Sequence, residues 1–350
     1  MTRVALVVNR AETGPAQIEA LYRTAAAACV DAGWPAPELL LADETDPGAA
    51  AAGQALRDGA DLVVACGGDV TVSAVAEALT EAGADARITA EAQARPGNGE
   101  QPAGEVEYWH EDGPTDRAGA LPNAALGIVP LGIGNLLAAS LGVPGGLDEA
   151  VNTLITGVDR RIDLGVVRSV DHEQREARVL VGLAGLGFDA AVLADVSAGL
   201  RRRIGWPAYL VPIARHLGDR GVTVTFELDG RTVRHRAVRT ALIGNVGRVR
   251  GGLDLLPDSA PDDGLLDVVV LAPRGRILGW PAVVRELISS RSRNTDDVIR
   301  YRAGHIVART RRPVAQEVDG EVLGSGVCLD VRVLHLALAV RVPRPAPASR

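Results

Sequence analysis

The chain has 350 residues, 47% of them hydrophobic but only 3% aromatic, so aliphatic side chains must fill its cores and the length favours two domains. All 37 basic residues are arginine; without lysine there is no P-loop, no protein-kinase strand lysine and no Schiff-base amine. A formal charge of −7 argues against nucleic acid as a partner, and no apolar run reaches the ~18 residues of a membrane span, which makes a cytoplasmic location the expectation.

The first ten residues pass straight into an apolar strand at 3–8, closed by Asn9. A helix is predicted from Pro15 to Ala32, a second strand from Pro37 to Leu41, and an Ala-rich helix from Asp46 to Gly59. The third strand, Asp61–Cys66, runs into Gly67-Gly68-Asp69-Val70-Thr71 and then a helix to about Ala82. Alternation of strand and helix predicts a doubly wound α/β domain. Residues 83–123 break the pattern with Gly, Pro and acidic residues and are expected to form an exposed, mobile insertion.

A strand at Ala125–Pro130 restores order and leads to Leu131-Gly132-Ile133-Gly134-Asn135 and a further helix. Beyond Gly157 the segments Ile162–Arg168, Ala177–Val181, Val222–Leu228, Thr232–Asn245, Leu265–Leu271 and His305–Thr310 read as strands, with helical stretches near Ala190–Leu217 and Gly279–Ser290. A mostly β second domain follows, closing with Cys328–Val342 and a Pro-rich tail expected to be disordered. Cys29, Cys66 and Cys328 lie far apart in apolar contexts and read as buried small hydrophobes, not as a disulfide or metal framework. The histidines are scattered without metal-ligand spacing.

Two glycine turns, Gly67–Thr71 and Gly132–Asn135, each follow a strand and precede a helix. At the carboxyl end of a parallel sheet such turns let the backbone approach a phosphate and point helix N-terminal N–H groups at it. Asp69 in the first turn then suits a metal, water or substrate hydroxyl. On spacing alone a plainer reading stands beside this one: ordinary strand–helix connections with Asp69 as a cap.

Taken in order, these landmarks resemble the diacylglycerol-kinase catalytic family, which includes sphingosine kinases and bacterial lipid kinases and is related to NAD kinases. Gly67-Gly68-Asp69-Val70-Thr71 is similar to its Gly-Gly-Asp-Gly-Thr, and Pro130-Leu131-Gly132-Ile133-Gly134-Asn135 to its Pro-Leu-Gly-Thr-Gly-Asn. Asp262–Asp267, Val318-Asp319-Gly320-Glu321 and Gly187-Phe188-Asp189-Ala190 extend the likeness to all but residues 83–123 and the tail. The resemblance implies an α/β nucleotide-binding domain at 1–155, with 329–343 returning to it, a β-sandwich lipid-substrate domain at 156–328, and a tail at 344–350.

It also implies chemistry. ATP would bind in the interdomain cleft against Asn9, Gly67, Gly68, Asp69, Val70 and Thr71, helped by Gly132, Ile133, Gly134 and Asn135. Glu321 would be the catalytic base that takes the proton of a lipid alcohol, diacylglycerol or similar, while Asp319 and Asp69 organise Mg²⁺. A structural Mg²⁺ would sit at Asp263 with the carbonyls of Ala260 and Leu265. Transient contact with a membrane surface is implied, and a homodimer is compatible with the family. Read without the family, Glu321 follows a common Asp-Gly hairpin turn and would be an exposed turn residue.

Three positions depart from the pattern: Val70 replaces a glycine, Ile133 a threonine, and Ala42 a further threonine. If position 70 needs φ > 0, valine there is strained and crowds the phosphates. A weakened kinase, or a nucleotide- or lipid-binding protein on the same fold, is therefore the competing expectation. Gly182–Gly187 superficially resembles a dinucleotide fingerprint but lies mid-chain in a β-rich region, where the family has a strand-to-helix turn, so a cofactor reading is rejected. Arg201, Arg202 and Arg203 before Trp206, Tyr209 and Leu210 suit either an anionic membrane surface or a solvated helix start.

Overall fold

Strand β1 (Val4–Asn9) alternates its side chains between two cores, and that alternation organises the first half of the computed structural model. The structure describes residues 1–80, 124–132, 134–170, 177–187, 221–248, 255–274, 279–281, 283, 285 and 294–345. The expected insertion at 83–123, the helix near Ala190–Leu217 and the arginines at 201–203 lie outside them, as does Ile133.

Val4, Leu6 and Val8 pack with Leu21, Ala25 and Cys29 of α1 (Pro15–Asp31) and with Ala150, Val151 and Leu154 of α5 (Leu147–Thr156). Ala5 and Val7 point the other way, to Ala52 and Ala55 of α2 (Ala49–Arg57), Val72, Val75 and Leu79 of α3 (residues 69–80), and Leu137 of α4 (Leu136–Ser140). Strands β1, β2 (Glu38–Ala42), β3 (Leu62–Gly67) and β4 (Ala125–Pro130) pair in parallel in the order β2-β1-β3-β4. Both faces are covered, so β1, β3 and β4 are buried at every residue, as parallel strands require. This is the doubly wound domain expected from the alternation of strand and helix.

The second half is β-rich: β5 (Val158–Val170), β6 (Ala177–Leu180), β7 (Leu183–Gly187), β8 (Val222–Leu228), β9 (Arg231–Val238), β10 (Thr240–Gly244), β11 (Leu266–Leu271), β12 (Val298–Ala303), β13 (His305–Val318) and β14 (Glu321–Val342). Their core gathers Phe226, Leu186, Ile243, Val268, Ile306 and Leu329 among others. The expected strand Thr232–Asn245 is two strands, β9 and β10, separated at Arg239; Ala237, near the end of β9, takes a left-handed conformation at φ 57. His305–Thr310 and Cys328–Val342 are the visible parts of much longer strands.

Strand β14 ties the halves together. It pairs antiparallel with β13 and β5 and then reaches β4, where Val340 aligns in parallel with Leu126. Its N-terminal end starts at the β13–β14 turn, next to the helix that follows β3, and this brings the site together. Among the described residues no helix is long and apolar enough to cross a membrane.

Candidate active site

Strand β3 ends at Gly67, and the chain turns at Gly68 into α3, whose first N–H groups have no partner within the helix. The second glycine turn lies directly against the first: a Cβ on Gly132 would fall 2.4 Å from the Cα of Gly68. Only glycine fits there, because the two turns pack backbone against backbone. Asn135 takes the left-handed conformation (φ 49, ψ 49) that swings the chain into α4, and its Nδ2 donates to the Gly132 carbonyl at 2.7 Å. Its Oδ1 is buried without a hydrogen-bond partner.

Asp69 bridges the two turns by accepting the Leu136 N–H at 2.6 Å. Burial pushes its carboxyl up to about 6; the N–H groups of Leu136 and Asn135 pull the other way, and the charges of Asp319 and Glu12 add to the rise. Asn9 anchors the turn from β1: it accepts the Ala11 N–H at 2.9 Å and its Nδ2 lies 3.4 Å from the Thr71 hydroxyl.

From the opposite side comes the β13–β14 hairpin. Asp319 (φ 49) and Gly320 (φ 85) occupy consecutive left-handed positions, the geometry that Asp-Gly provides in a tight hairpin turn. Asp319 is buried, and both carboxylate oxygens are engaged: Oδ1 accepts the N–H groups of Gly182 and Leu183 at 2.7 and 2.9 Å, and Oδ2 accepts Val181 N–H and the Ser73 hydroxyl at 2.8 Å each. Burial drives its carboxyl above the usual range, while those four donors hold it down in part. Beside it, Glu321 opens β14 with a half-exposed carboxylate, 3.0 Å from Nη2 of Arg178. Nη1 of Arg178 is 3.8 Å from Glu77. Val70, Ser73, Glu77, Arg178, Asp319 and Glu321 line one open cavity of about 320 Å³.

The structure thus gathers the expected Asn9, Gly67, Gly68, Asp69, Val70, Thr71, Gly132, Gly134 and Asn135 around two touching turns, with Asp319 and Glu321 across the cavity. Valine at position 70 is not strained: it sits in the first turn of α3, outside the residues with positive φ, and the strain expected from sequence is corrected accordingly. It does line the cavity. The sequence reading overlooked Glu12, Ser73, Glu77 and Arg178. Asp69, Ser73 and Glu77 recur at four-residue spacing on one face of a helix, a signal that was available.

The candidate carboxylates differ in their fit to Mg²⁺. Asp319 has no oxygen to spare, whereas Asp69 is a buried carboxylate whose raised pKa is that of an anion without a counter-charge. Magnesium commonly takes one or two carboxylates together with substrate phosphates, so Asp69 fits. Asp263 fits less well: the Arg302 guanidinium binds its carboxylate, Leu265 N–H donates to it at 3.1 Å, and Arg302 also lies 3.3 Å from Asp267. The positive charge expected of a structural cation beside Ala260 and Leu265 is supplied there by arginine. Among the described residues no group of three or more His, Cys, Asp or Glu is arranged to hold a metal ion.

Residues 3–167 match the family model of the diacylglycerol kinase catalytic domain, and residues 182–342 that of the YegS C-terminal NAD kinase beta sandwich-like domain. A "Probable lipid kinase YegS-like" of Stenotrophomonas maltophilia is 29% identical over 279 residues, covering 77% of this chain and 74% of the relative. A protein with the same description from Pseudomonas syringae pv. syringae is 30% identical over 226 residues, 64% of this chain and 70% of its own. A crystal structure of a diacylglycerol kinase from Bacillus anthracis superposes with a TM-score of 0.64 over 97% of this chain and 96% of that one; at 16% identity this bears on the fold alone.

Proposed function

Because the chain belongs to the diacylglycerol-kinase catalytic family and is a lipid kinase by class, we propose that it transfers the γ-phosphoryl group of ATP to the hydroxyl of diacylglycerol or a similar lipid alcohol. The observation that carries this reading is the shared cavity: Val70 of the glycine turn and Glu321 of the hairpin line the same space, and Ser73 binds Asp319 across it.

Phosphoryl transfer demands positioning and neutralisation of charge more than covalent chemistry from the protein. In the proposed reaction the triphosphate lies along the glycine turns, facing backbone N–H groups and the N-terminus of α3. The lipid hydroxyl enters from the cavity side, and its oxygen attacks the γ-phosphorus as the bond to the β-phosphate oxygen breaks. Glu321 takes the hydroxyl proton. Asp319 does not touch the reactants; clamped by four donors, it fixes the turn that aims Glu321. Asp69 would hold Mg²⁺, which neutralises phosphate charge when bound. As the acceptor resides in a membrane, the enzyme works at its surface through transient contact.

Val70 supports a second reading, a nucleotide- or lipid-binding protein with weakened catalysis, because it puts a bulkier residue than the family's glycine in the cavity wall. Incubation of the purified protein with radiolabelled ATP, Mg²⁺ and a panel of lipid alcohols decides between them. A labelled phospholipid formed by the wild type and not by Glu321→Gln supports the kinase; ATP binding with no labelled product on any lipid supports the second reading.

A further inference from the structure

The backbone N–H of Gly68, at the mouth of α3, is already taken. It donates to Oε2 of Glu12 at 2.8 Å, and the Thr71 hydroxyl lies 3.5 Å from the same oxygen. A helix N-terminus concentrates unpaired N–H groups and positive potential, and an anion is what it favours. Here the anion comes from the protein itself.

Glu12 reaches this position because the chain after β1 is folded into a short turn. The N–H groups of Glu12 and Thr13 both donate to the Asn9 carbonyl, at 3.1 and 3.0 Å, and Ala11 N–H donates to the Asn9 side chain. Asn9 in turn reaches Thr71, so the turn is hung on the same helix end that it caps. The placement carries a cost, since Glu12 and Asp69 are like charges close enough to oppose each other. A carboxylate put there only for stability would be better placed away from a second one. Next to Glu12 in the chain, the Thr13 hydroxyl, a group able to donate to a phosphate oxygen, is buried without a hydrogen-bond partner.

We propose that Glu12 is an internal competitor for the phosphate site: its carboxylate holds the Gly68 N–H in the nucleotide-free protein, and a triphosphate binds there by displacing it. The inference rests on the nucleotide reading above and adds to it a residue that sets the affinity. Where a competing state occupies the site, the apparent dissociation constant rises by the reciprocal of the competent fraction. Neutralising or removing the competitor returns that factor.

Calorimetric titration of ATP with Mg²⁺ into the full-length wild type, Glu12→Ala and Glu12→Gln tests this, with circular dichroism to establish folding. We expect Glu12→Ala to bind at least about tenfold more tightly, and Glu12→Gln, which keeps an acceptor for Gly68 but loses the charge, to fall between them. Inorganic phosphate should raise the melting temperature of Glu12→Ala and leave that of the wild type unchanged. ATP binding by the wild type that is equal or weaker in the variants would overturn the role of Glu12 and leave the nucleotide reading standing. No binding by any of the three would overturn both. If Glu12→Ala does not fold, the comparison with Glu12→Gln decides the matter alone.

Discussion

The hydroxyl of Ser73 donates to Oδ2 of Asp319 at 2.8 Å, joining residues 246 positions apart. Through this contact the helix that begins at the glycine turn meets the hairpin that carries Glu321. The same aspartate accepts three consecutive N–H groups, from Val181, Gly182 and Leu183, at the start of β7. One carboxylate therefore fixes three pieces of chain around the cavity.

Removing it should be costly. Asp319→Ala strands three buried N–H groups, each worth ~1–3 kcal/mol when left unsatisfied, so a loss of at least about 3 kcal/mol is expected. The shift in urea midpoint measures it. A midpoint within error of the wild type would mean that the hairpin is held by other contacts.

Glu321 should behave in the opposite way. Its side chain is 56% exposed and its one described partner is Arg178, a surface pair of the kind that contributes little. Glu321→Gln is expected to leave the melting temperature within about a degree of the wild type while lipid phosphorylation drops by ~10²–10⁴-fold, the usual contribution of a positioned base. Retained turnover would remove Glu321 from the proton-transfer step.

Asp69 couples stability to pH in the nucleotide-free protein. Its folded-state pKa of about 6 stands above the ordinary 3.8, so the fold prefers its protonated form. Stability falls as pH rises from about 4 to about 6 and stays lowered above that. The full penalty is roughly 3 kcal/mol. Asp69→Asn keeps an acceptor for Leu136 N–H and should be more stable than the wild type by up to this amount at pH 8, with the gap reduced to about half at pH 5. Denaturant titrations at the two pH values check the sign; a gap that widens at pH 5 would refute the assignment.

Val70 divides stability from function. Glycine at this position, in the first turn of α3, costs ~0.5–1 kcal/mol in helix propensity and lost contact. It also removes the methyl groups of a residue in the cavity wall, one of which lies 3.9 Å from where a Cβ on Gly320 would stand. Val70→Gly should lower the melting temperature by about a degree and lower KM for ATP. An unchanged KM would show that the triphosphate does not pass this side chain.

Much of the protein was legible in its sequence because the determinants are local. Uninterrupted apolar runs such as Val4–Val8 and Ala125–Val129 marked strands buried on both faces. Glycine after a strand marked a close backbone approach, and Asp319-Gly320 marked a tight hairpin through its tolerance of positive φ. The order of these short motifs along the chain pointed to the family. None of them specifies a partner distant in sequence, and there the reading stopped. Whether position 70 needed a left-handed residue depended on where α3 starts, which is set by the packing of Val72, Val75 and Leu79 on the sheet. That Asp263 meets Arg302 depended on the antiparallel register that places Asp267 opposite Arg302. Glu12 had no motif at all; only the parallel pairing of β1 with β3 carries the turn after one strand to the glycine turn after the other. Local geometry, fixed by each residue's own backbone preferences, was written in the sequence. The encounters between charges were decided by tertiary structure, because burial and distance exist only once the strands have paired.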